Sequence, residues 1–363
     1  MPGLGAAHPF HMYEGIRQQP DRVSRVLQNQ RELVERAAFA VASRKRILLA
    51  GIGTSFHAAH YGEQCLRALS GGRIHAGVEQ SFELVNYPLA LGADDAMILV
   101  SHRGARNFSV EALHLAQTSG ALTIAVTGEL GGEGMGSADF LIKTCEQEVS
   151  NAHSKSFTTA MAALALLAIH VARARNQGGD AALHLSALAA IPAAMEKALA
   201  VEEQVAGIAR MVALRPRIIF TGAGPNWVTA REGALKVKES AFVASEGFET
   251  EQFLHGPNLE VDGRAAMVSV LSGGAGDPRM ISLLRAVGEI GLLRVAVVPE
   301  GIEPPPAEHV VHVPRVPEWL SPFVTLIPVQ WLAYWMAVER GTNPDNERKE
   351  DPRHARSREY FRL

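Results

Sequence analysis

An internal repeat constrains the fold of this 363-residue chain more than any other feature. The segment RILLAGIGTSFHAAHYGEQCL from Arg46 resembles RIIFTGAGPNWVTAREGALKV from Arg217, at an offset of 171 residues. At the same offset, MILVS aligns with VSVLS, and LTIAVTGEL aligns with LRVAVVPEG. Three segments that share one register in chain order indicate an internal duplication.

Each copy contains three short aliphatic segments that are typical of β-strands and are separated by longer helical patterns. Their nearly continuous apolar character predicts parallel sheets that are covered on both faces. The fold class is therefore α/β, with two doubly wound, parallel-sheet domains of the flavodoxin-like or Rossmann-like three-layer type. The predicted strands are Ile47–Ala50, Ala96–Val100 and Leu122–Val126 in the first copy, and Ile218–Thr221, Met267–Leu271 and Arg294–Val298 in the second.

The domain organisation follows from these segments and from the chain between them. We expect an N-terminal helical segment at 1–30, a first domain at 31–180, a helical linker at 181–205, and a second domain at 206–341. Pro192 is compatible with a break in the linker. The charged segment 342–363 is either a solvated tail or a flap over the active site. The apolar run Ala160–Ala172 contains His170 and is shorter than the roughly 20 residues of a membrane span, so we expect a buried helix.

Composition excludes several classes of function. A hydrophobic fraction of 47% with 20% charged residues is ordinary for a soluble globular protein, and a net charge of -3 gives no basic footprint for nucleic acid or an anionic membrane. Cys65 and Cys145 suggest neither a disulfide framework nor a metal site. The N-terminus lacks the pattern of a secretory signal. We therefore expect a cytoplasmic protein without a cofactor, whose partners are small molecules or proteins.

The turn after the first predicted strand is a candidate phosphate cradle. Gly51, Gly53, Thr54 and Ser55 follow that strand and precede a helix, where ligands of open parallel sheets bind. The glycines let the backbone come close to an anion, and amide and hydroxyl groups can face it. The alternative is an ordinary tight turn with a helix cap.

The turn after the next strand, SHRGARNFS, lies at the same predicted sheet edge. Ser101 supplies a hydroxyl, His102 follows it, and Arg103 and Arg106 could hold a phosphate between them. Alternatively, the arginines face solvent or pair with Glu111.

Two further groups of residues occur in the second copy. Glu232, Lys236 and Glu239 lie four and three positions apart, so they share one helix face. A surface salt-bridge ladder is their simplest role, whereas a carboxylate held ionised by a nearby lysine could act as a general base in proton transfer. His255 precedes Gly256 and Pro257, where a lone histidine is more often structural than catalytic.

Several motifs resemble the isomerase module of the glutamine:fructose-6-phosphate amidotransferase (glucosamine-6-phosphate synthase) family, which consists of sugar isomerase (SIS) domains. REGALKVKESAFVASEGFETEQFLHGP is similar to the family's EGALKLKE and HGP motifs with the same separation. GIGTS resembles its CGTS turn, EVSNAHSKSFTTAM its S-T-K segment, and VTLIPVQWLAYWMAVERGTNPD its ending. HMYEGIRQQP resembles its first helix, so the resemblance spans nearly the whole chain.

The resemblance implies a set of roles. Glu239 would move a proton between C1 and C2 of a phosphosugar, with Lys236 nearby, and His255 would open the ring, often across a dimer interface. Thr54, Ser55 and Ser101 match the family's phosphate-binding hydroxyls. A phosphorylated sugar or amino sugar and a homodimer with a shared active site are therefore the expected partners. The glutaminase half has no match in these residues, so glutamine hydrolysis is not expected of them.

The chain departs from the family at the phosphate turn and at the sugar pocket. His102, Arg103 and Arg106 replace Gln, Ser and Thr, and His153 replaces the serine before Ser154. The family's C-terminal lysine has no clear counterpart. The expected function is isomerisation of a phosphosugar, with or without transfer or loss of an amine. The alternatives are a non-catalytic phosphosugar-binding regulatory module and a deglycase of sugar-phosphate amine adducts.

Overall fold

The computed structural model describes residues 7–105 and 108–361 and divides into two compact units. The first lobe consists of Gln19–Glu148 and Lys155–Pro192. The second lobe consists of the residues up to Gln18, of Val149–Ser154, and of the residues from Ala193 onward.

Helix α1 (His11–Asn29) begins in the second lobe and enters the first at Gln19. The other elements of the first lobe, in chain order, are α2 (Arg31–Ala42), β1 (Arg46–Gly51), α3 (Thr54–Leu69), β2 (Ala76–Gln80), α4 (Ser81–Asn86), β3 (Asp95–Ser101), α5 (Phe108–Thr118), β4 (Leu122–Thr127), α6 (Gly132–Met135), β5 (Phe140–Lys143), α7 (Lys155–Ala174) and α8 (Ala181–Ala189). The strands form a parallel five-stranded sheet in the order β2-β1-β3-β4-β5. This order is that of flavodoxin-like doubly wound folds.

The elements of the second lobe are α9 (Ile191–Leu199), α10 (Glu202–Val212), β6 (Arg217–Gly222), α11 (Asn226–Ser240), β7 (Ala244–Glu249), α12 (Thr250–Leu254), β8 (Ala266–Val270), α13 (Asp277–Ile290), β9 (Leu293–Pro299), β10 (His309–Val313), α14 (Ser321–Glu339) and α15 (Pro352–Ser357), with short 3-10 turns at Pro257–Leu259, Glu318–Leu320 and Arg358–Tyr360. Its sheet has the same design, in the order β10-β9-β8-β6-β7, and every pairing is parallel.

The α/β prediction and all six predicted strands are confirmed, and they form the interior of the two sheets. The four strands that the sequence pattern did not reveal are β2, β5, β7 and β10, and each lies at a sheet edge. Edge strands are less buried than central ones, so their apolar runs are shorter or are interrupted by polar residues. β2, with the sequence AGVEQ, is only partly buried at every position.

The pairing register changes one detail of the predicted offset. Ile47 pairs with Ala96, and Ile218 pairs with Ala266, so the middle strands correspond at an offset of 170. The third strands return to 171, because Ala96 pairs with Leu122 and Ala266 with Leu293. The second copy therefore has one residue less before β8 and one residue more after it.

The apolar run at 160–172 forms a buried helix, as predicted, but the helix is longer than the run. α7 has 20 residues, and its hydropathy and length would allow it to cross a membrane, as would those of Glu318–Glu339. In both helices 89% of the most apolar window is buried inside the protein. α7 packs against α2 and α3, and α14 packs against α10 and α11, so both are core helices of their lobes.

The C-terminal segment is not a solvated tail throughout. Pro344, Asp345 and Asn346 are buried, and the Asp345 carboxylate accepts the N–H groups of His11 and Met12 at 2.7 and 3.0 Å. It thereby satisfies free amides in the first turn of α1. The residues of α15 are exposed. Only the later part of the segment fits the expectation of a solvated tail.

Candidate functional site

The first predicted cradle is a tight turn between β1 and α3. A methyl group on Gly51 would lie 2.6 Å from the backbone of Ser55, and Gly53 has a φ of 57°, which favours glycine. Thr54 is the first residue of α3, and both Thr54 and Ser55 are partly exposed. The turn therefore presents two hydroxyl groups beside the N-terminus of a helix, where negative charge is favoured.

The second cradle follows β3, the neighbour of β1, so both turns lie at the carboxyl edge of one sheet. Ser101 is buried, and its carbonyl accepts the Thr127 hydroxyl at 2.7 Å. The His102 carbonyl accepts the N–H of Gly128 at 2.9 Å. These bonds attach the turn to the end of β4. Arg103 is exposed, and Arg106 lies outside the described residues.

The imidazole of His102 is packed into the first lobe. A methyl group on Gly128 would lie 2.8 Å from its Nδ1, so the ring occupies the space that this glycine leaves open. Burial lowers the pKa of His102, and Arg103 and Lys155 lower it further, while Glu148 and Glu146 oppose the shift. His102 is therefore a neutral hydrogen-bonding group near pH 7 rather than a cation.

A charged network that the sequence analysis missed lies in the same lobe. Glu146 accepts hydrogen bonds from Lys155 Nζ at 2.6 Å and from Arg22 Nε at 2.8 Å. Nearby, the Glu148 carboxylate accepts the N–H of Ser156 at 2.7 Å in the first turn of α7. Arg22 is 124 residues from Glu146 in sequence, so no local spacing could have revealed the pair.

The second lobe brings Glu232, Lys236 and Glu239 together on α11. Lys236 Nζ lies 2.5 Å from Glu239 Oε2 and 3.3 Å from Glu232 Oε1. The side chains of Glu232 and Lys236 are 0% exposed, whereas that of Glu239 is 28% exposed. A surface salt-bridge ladder is therefore wrong for this trio, because two of its members belong to the core. Only Glu239 can be reached from solvent.

The electrostatics of the trio differ from those of a neutral ion pair, because two carboxylates share one ammonium. Burial raises the pKa of Glu239, Lys236 opposes the shift, and Glu232 and Glu347 add to it. Burial lowers the pKa of Lys236, but Glu239 and Glu232 outweigh this effect and raise it above its usual value. Lys236 thus stays charged, and Glu239 is a stronger base than an ordinary glutamate.

His255 has a different environment from the trio. It follows α12, its side chain is 72% exposed, and its Nε2 lies 3.2 Å from Glu251 Oε1. Glu251 also accepts two hydrogen bonds from Arg279, at 2.7 and 2.9 Å. The structure thus places His255 in a surface cluster of charged side chains rather than among the buried residues of α11.

His153 and Ser154 lie in the short segment Val149–Ser154, which belongs to the second lobe. His153 is partly exposed and Ser154 is buried. In the same segment Asn151 donates to the carbonyl of Asp345 at 3.0 Å. The segment is thereby attached to the buried part of the C-terminal chain.

Comparison with known proteins identifies a SIS domain at residues 40–170. An isomerizing glutamine–fructose-6-phosphate aminotransferase of Thermococcus kodakarensis is 28% identical over 348 residues, which are 94% of this chain and 57% of the relative. The chain thus spans little more than half the length of that enzyme.

Two solved structures share the fold. The C-terminal domain of glucosamine-fructose-6-phosphate aminotransferase from Francisella tularensis superposes with a TM-score of 0.83 at 22% identity, covering 92% of this chain and 98% of that domain. Tagatose-6-phosphate ketose/aldose isomerase from Escherichia coli gives a TM-score of 0.78 at 21% identity, covering 95% of this chain and 98% of the isomerase.

Proposed function

We propose that this chain, which contains a SIS domain and is homologous to the isomerase portion of glutamine–fructose-6-phosphate aminotransferase, is an enzyme that moves a proton between C1 and C2 of a phosphosugar. Glu239 is the proposed base. The substrate class is a sugar 6-phosphate or an amino-sugar 6-phosphate, and the reaction is aldose–ketose isomerisation, with or without transfer or loss of an amine.

The observation that carries this proposal is the trio on α11. A proton-transferring carboxylate must be accessible and basic, and it must be held in place. Glu239 is partly exposed, its pKa is raised, and Lys236 holds one of its oxygens at 2.5 Å. Glu232 keeps Lys236 bound from the other side, so it acts as a positioning residue. A purely structural role would not require this burial, because removing charges from water costs free energy.

The phosphate would bind to the turns of the first lobe. Thr54, Ser55 and Ser101 supply hydroxyl groups, Gly53 leaves the backbone open, and Arg103 contributes a positive charge. His102 would then contact the sugar as a neutral group. Arg106, His153 and Ser154 remain proposed ligands from the sequence alone.

We infer that the lobes arose by duplication, since their sheets share one strand order and nearly one offset. We also infer a homodimer, in which the exposed side chain of His255 would contribute to the active site of the second copy. We infer a cytoplasmic location, as expected for an enzyme of sugar-phosphate metabolism. Light scattering tests the dimer, and a monomer would remove the proposed role of His255.

The test of function is exchange of the C2 proton. Purified protein is incubated in heavy water with hexose 6-phosphates and hexosamine 6-phosphates, and loss of the C2 proton signal is followed by nuclear magnetic resonance. We expect exchange with at least one substrate and a rate that falls roughly 10²- to 10⁴-fold in Glu239→Gln. Glu203→Gln, an exposed glutamate of the same lobe, is the matched control and should keep the rate.

The outcomes separate the alternatives. Absence of exchange with every substrate, together with phosphosugar binding that survives Glu239→Gln, would indicate a non-catalytic binding module. Release of a free amine from a sugar-phosphate amine adduct, with the same dependence on Glu239, would identify a deglycase. A wild-type exchange rate in Glu239→Gln would reject Glu239 as the base.

A further inference from the structure

Three residues with left-handed backbone lie at the end of the helix that carries the proposed base. Among the described residues, four that are not glycine have a φ between 52° and 59°, and one is Asn176, a residue type that tolerates this conformation. The other three are Phe242, which follows the end of α11, and the consecutive residues Glu347 and Arg348. Bulky side chains rarely adopt this conformation, and it persists only where the surrounding structure holds it, often at functional sites.

The C-terminal segment is attached to the same end of α11. Thr342 Oγ1 donates to the carbonyl of Ser240, the last residue of the helix, at 2.7 Å. The guanidinium carbon of Arg348 lies 4.4 Å from the centre of the Phe242 ring, which is a cation–π contact. The left-handed turn of the C-terminal segment is thereby held against the end of α11 that contains Glu239.

The carboxylate of Glu347 is bound by an arginine of the same segment. Arg358 Nη1 donates to Glu347 Oε2 at 2.7 Å, and Arg358 Nη2 donates to the Glu347 carbonyl at 2.6 Å. Burial is the main cause of the raised pKa of Glu239, and Glu347 adds to it. The charge of Glu347 therefore acts on Glu239, and the positive charge of Arg358 partly cancels that action.

The charged groups that act on Glu239 come from two parts of the second lobe, namely Lys236 and Glu232 on α11 and Glu347 on the C-terminal segment. The elements packed against α11 include α14, β6, β7 and β8. Glu249 of β7 is exposed. The other charged side chains of these elements and at the end of α14 have partners of their own, which are Glu339 with Arg210, Glu246 with Arg217, and Arg340 with the carbonyl groups of Ala213 and Ala241. Removing the charge of Glu347 is therefore a specific way to change the field at Glu239 from outside α11.

We propose that Glu347 is a positioning residue for the base: the left-handed turn holds its carboxylate at the end of α11, and Arg358 controls the negative charge that Glu239 meets. This role gives a reason for the two consecutive left-handed residues, which a solvated tail would not retain. The inference rests on the proposed function only where it takes Glu239 as the base. The coupling between the two carboxylates depends on neither a sugar nor a reaction.

The test is a direct titration of Glu239. Glutamate labelled with ¹³C in its side-chain carboxyl group is incorporated into the protein, and the signal of Glu239 is identified by its loss in Glu239→Gln. Nuclear magnetic resonance then gives the ratio of protonated to ionised Glu239 at each pH. At a fixed pH, we expect Glu347→Gln to lower this ratio about threefold or more, and Arg358→Met to raise it by a similar factor. Glu359→Gln removes an exposed glutamate of the same segment and should leave the ratio unchanged.

The opposite signs separate this role from a merely structural one. Substitutions that only loosened the turn would break the bond between Glu347 and Arg358 in either variant, so they would change the ratio in the same direction. A change of the same sign in both variants, or no change in either, would overturn the proposal. Because the titration needs no turnover, its result is independent of the C2 exchange experiment, and a failure of one is distinguishable from a failure of the other.

Discussion

Each lobe places a lysine beside a glutamate, but the balance of charge is opposite in the two. In the first lobe Glu146 is bound by two cations, Lys155 and Arg22. In the second lobe Lys236 is shared by two anions, Glu232 and Glu239. Burial raises the pKa of Glu146, but the two cations outweigh it and lower that pKa to about 2. The pKa of Glu239 is raised instead.

The comparison shows that proximity of a lysine to a glutamate does not by itself define the role of the carboxylate. The ratio of anions to cations and the depth of burial decide whether the carboxylate holds its proton weakly or strongly. Glu146 therefore fits a structural ion pair that fixes α1 and the start of α7. Glu239 fits a base. Substitutions of the two lysines and of the two glutamates test this difference.

Replacing Lys236 by methionine should give the largest loss of stability. It leaves the carboxylates of Glu232 and Glu239 without their cation, and one of them is fully buried. We expect the free energy of unfolding to fall by about 3–5 kcal/mol, the usual cost of removing one partner of a buried ion pair. Urea unfolding measures the loss.

The matched control is Lys238→Met, which removes an exposed lysine from the same helix. Its effect should stay within about 0.5 kcal/mol, as for ordinary surface substitutions. Similar losses of unfolding free energy in the two variants would mean that the buried lysine stabilises the protein no more than an exposed lysine of α11 does.

The second prediction concerns the positive charge of the first lobe's turn. Arg103→Ala should weaken binding of a phosphosugar, such as fructose 6-phosphate, by about 1.5–3 kcal/mol, because a charged hydrogen bond to the phosphate is lost. Titration calorimetry measures the affinity. Arg285→Ala removes an exposed arginine of the second lobe and should leave it unchanged. If Arg103→Ala also binds normally, Arg103 is a surface residue.

The third prediction is that the two lysines differ in how much their removal destabilises the protein. Lys155→Met leaves Glu146 bound to Arg22, and the Glu146 side chain is 38% exposed, so water can replace the lost bond. We expect a loss of only about 0.2–1 kcal/mol, as for exposed pairs. A loss as large as that of Lys236→Met would show that burial of Lys155 matters more than the solvation of its partner.

The sequence predicted the sheet interiors and the trio for physical reasons that also explain what it missed. Buried parallel strands have continuous apolar runs, and residues three and four apart share a helix face, so both features can be read locally. Partly exposed edge strands such as β2 lack that signal. The Glu146–Arg22 pair and the position of Glu347 depend on which distant segments the fold brings together. Their spacing predicted that Glu232, Lys236 and Glu239 share one helix face. It could not predict how deeply each of them is buried.

The fourth prediction concerns the opposite pH dependence that the two glutamates give to stability. The folded pKa of Glu146 is about 2, below the 4.5 of an unperturbed glutamate, so its contribution is present above pH 4.5 and is lost as pH falls toward 2. The pKa of Glu239 is raised, so its contribution is present below pH 4.5 and is lost as pH rises through its folded pKa. Denaturant unfolding between about pH 3 and pH 7 should therefore show that Glu146→Gln flattens the acid side of the stability profile. Glu239→Gln should remove a decline on the side of higher pH. The same sign of change in both variants would contradict the assignment of one structural carboxylate and one base.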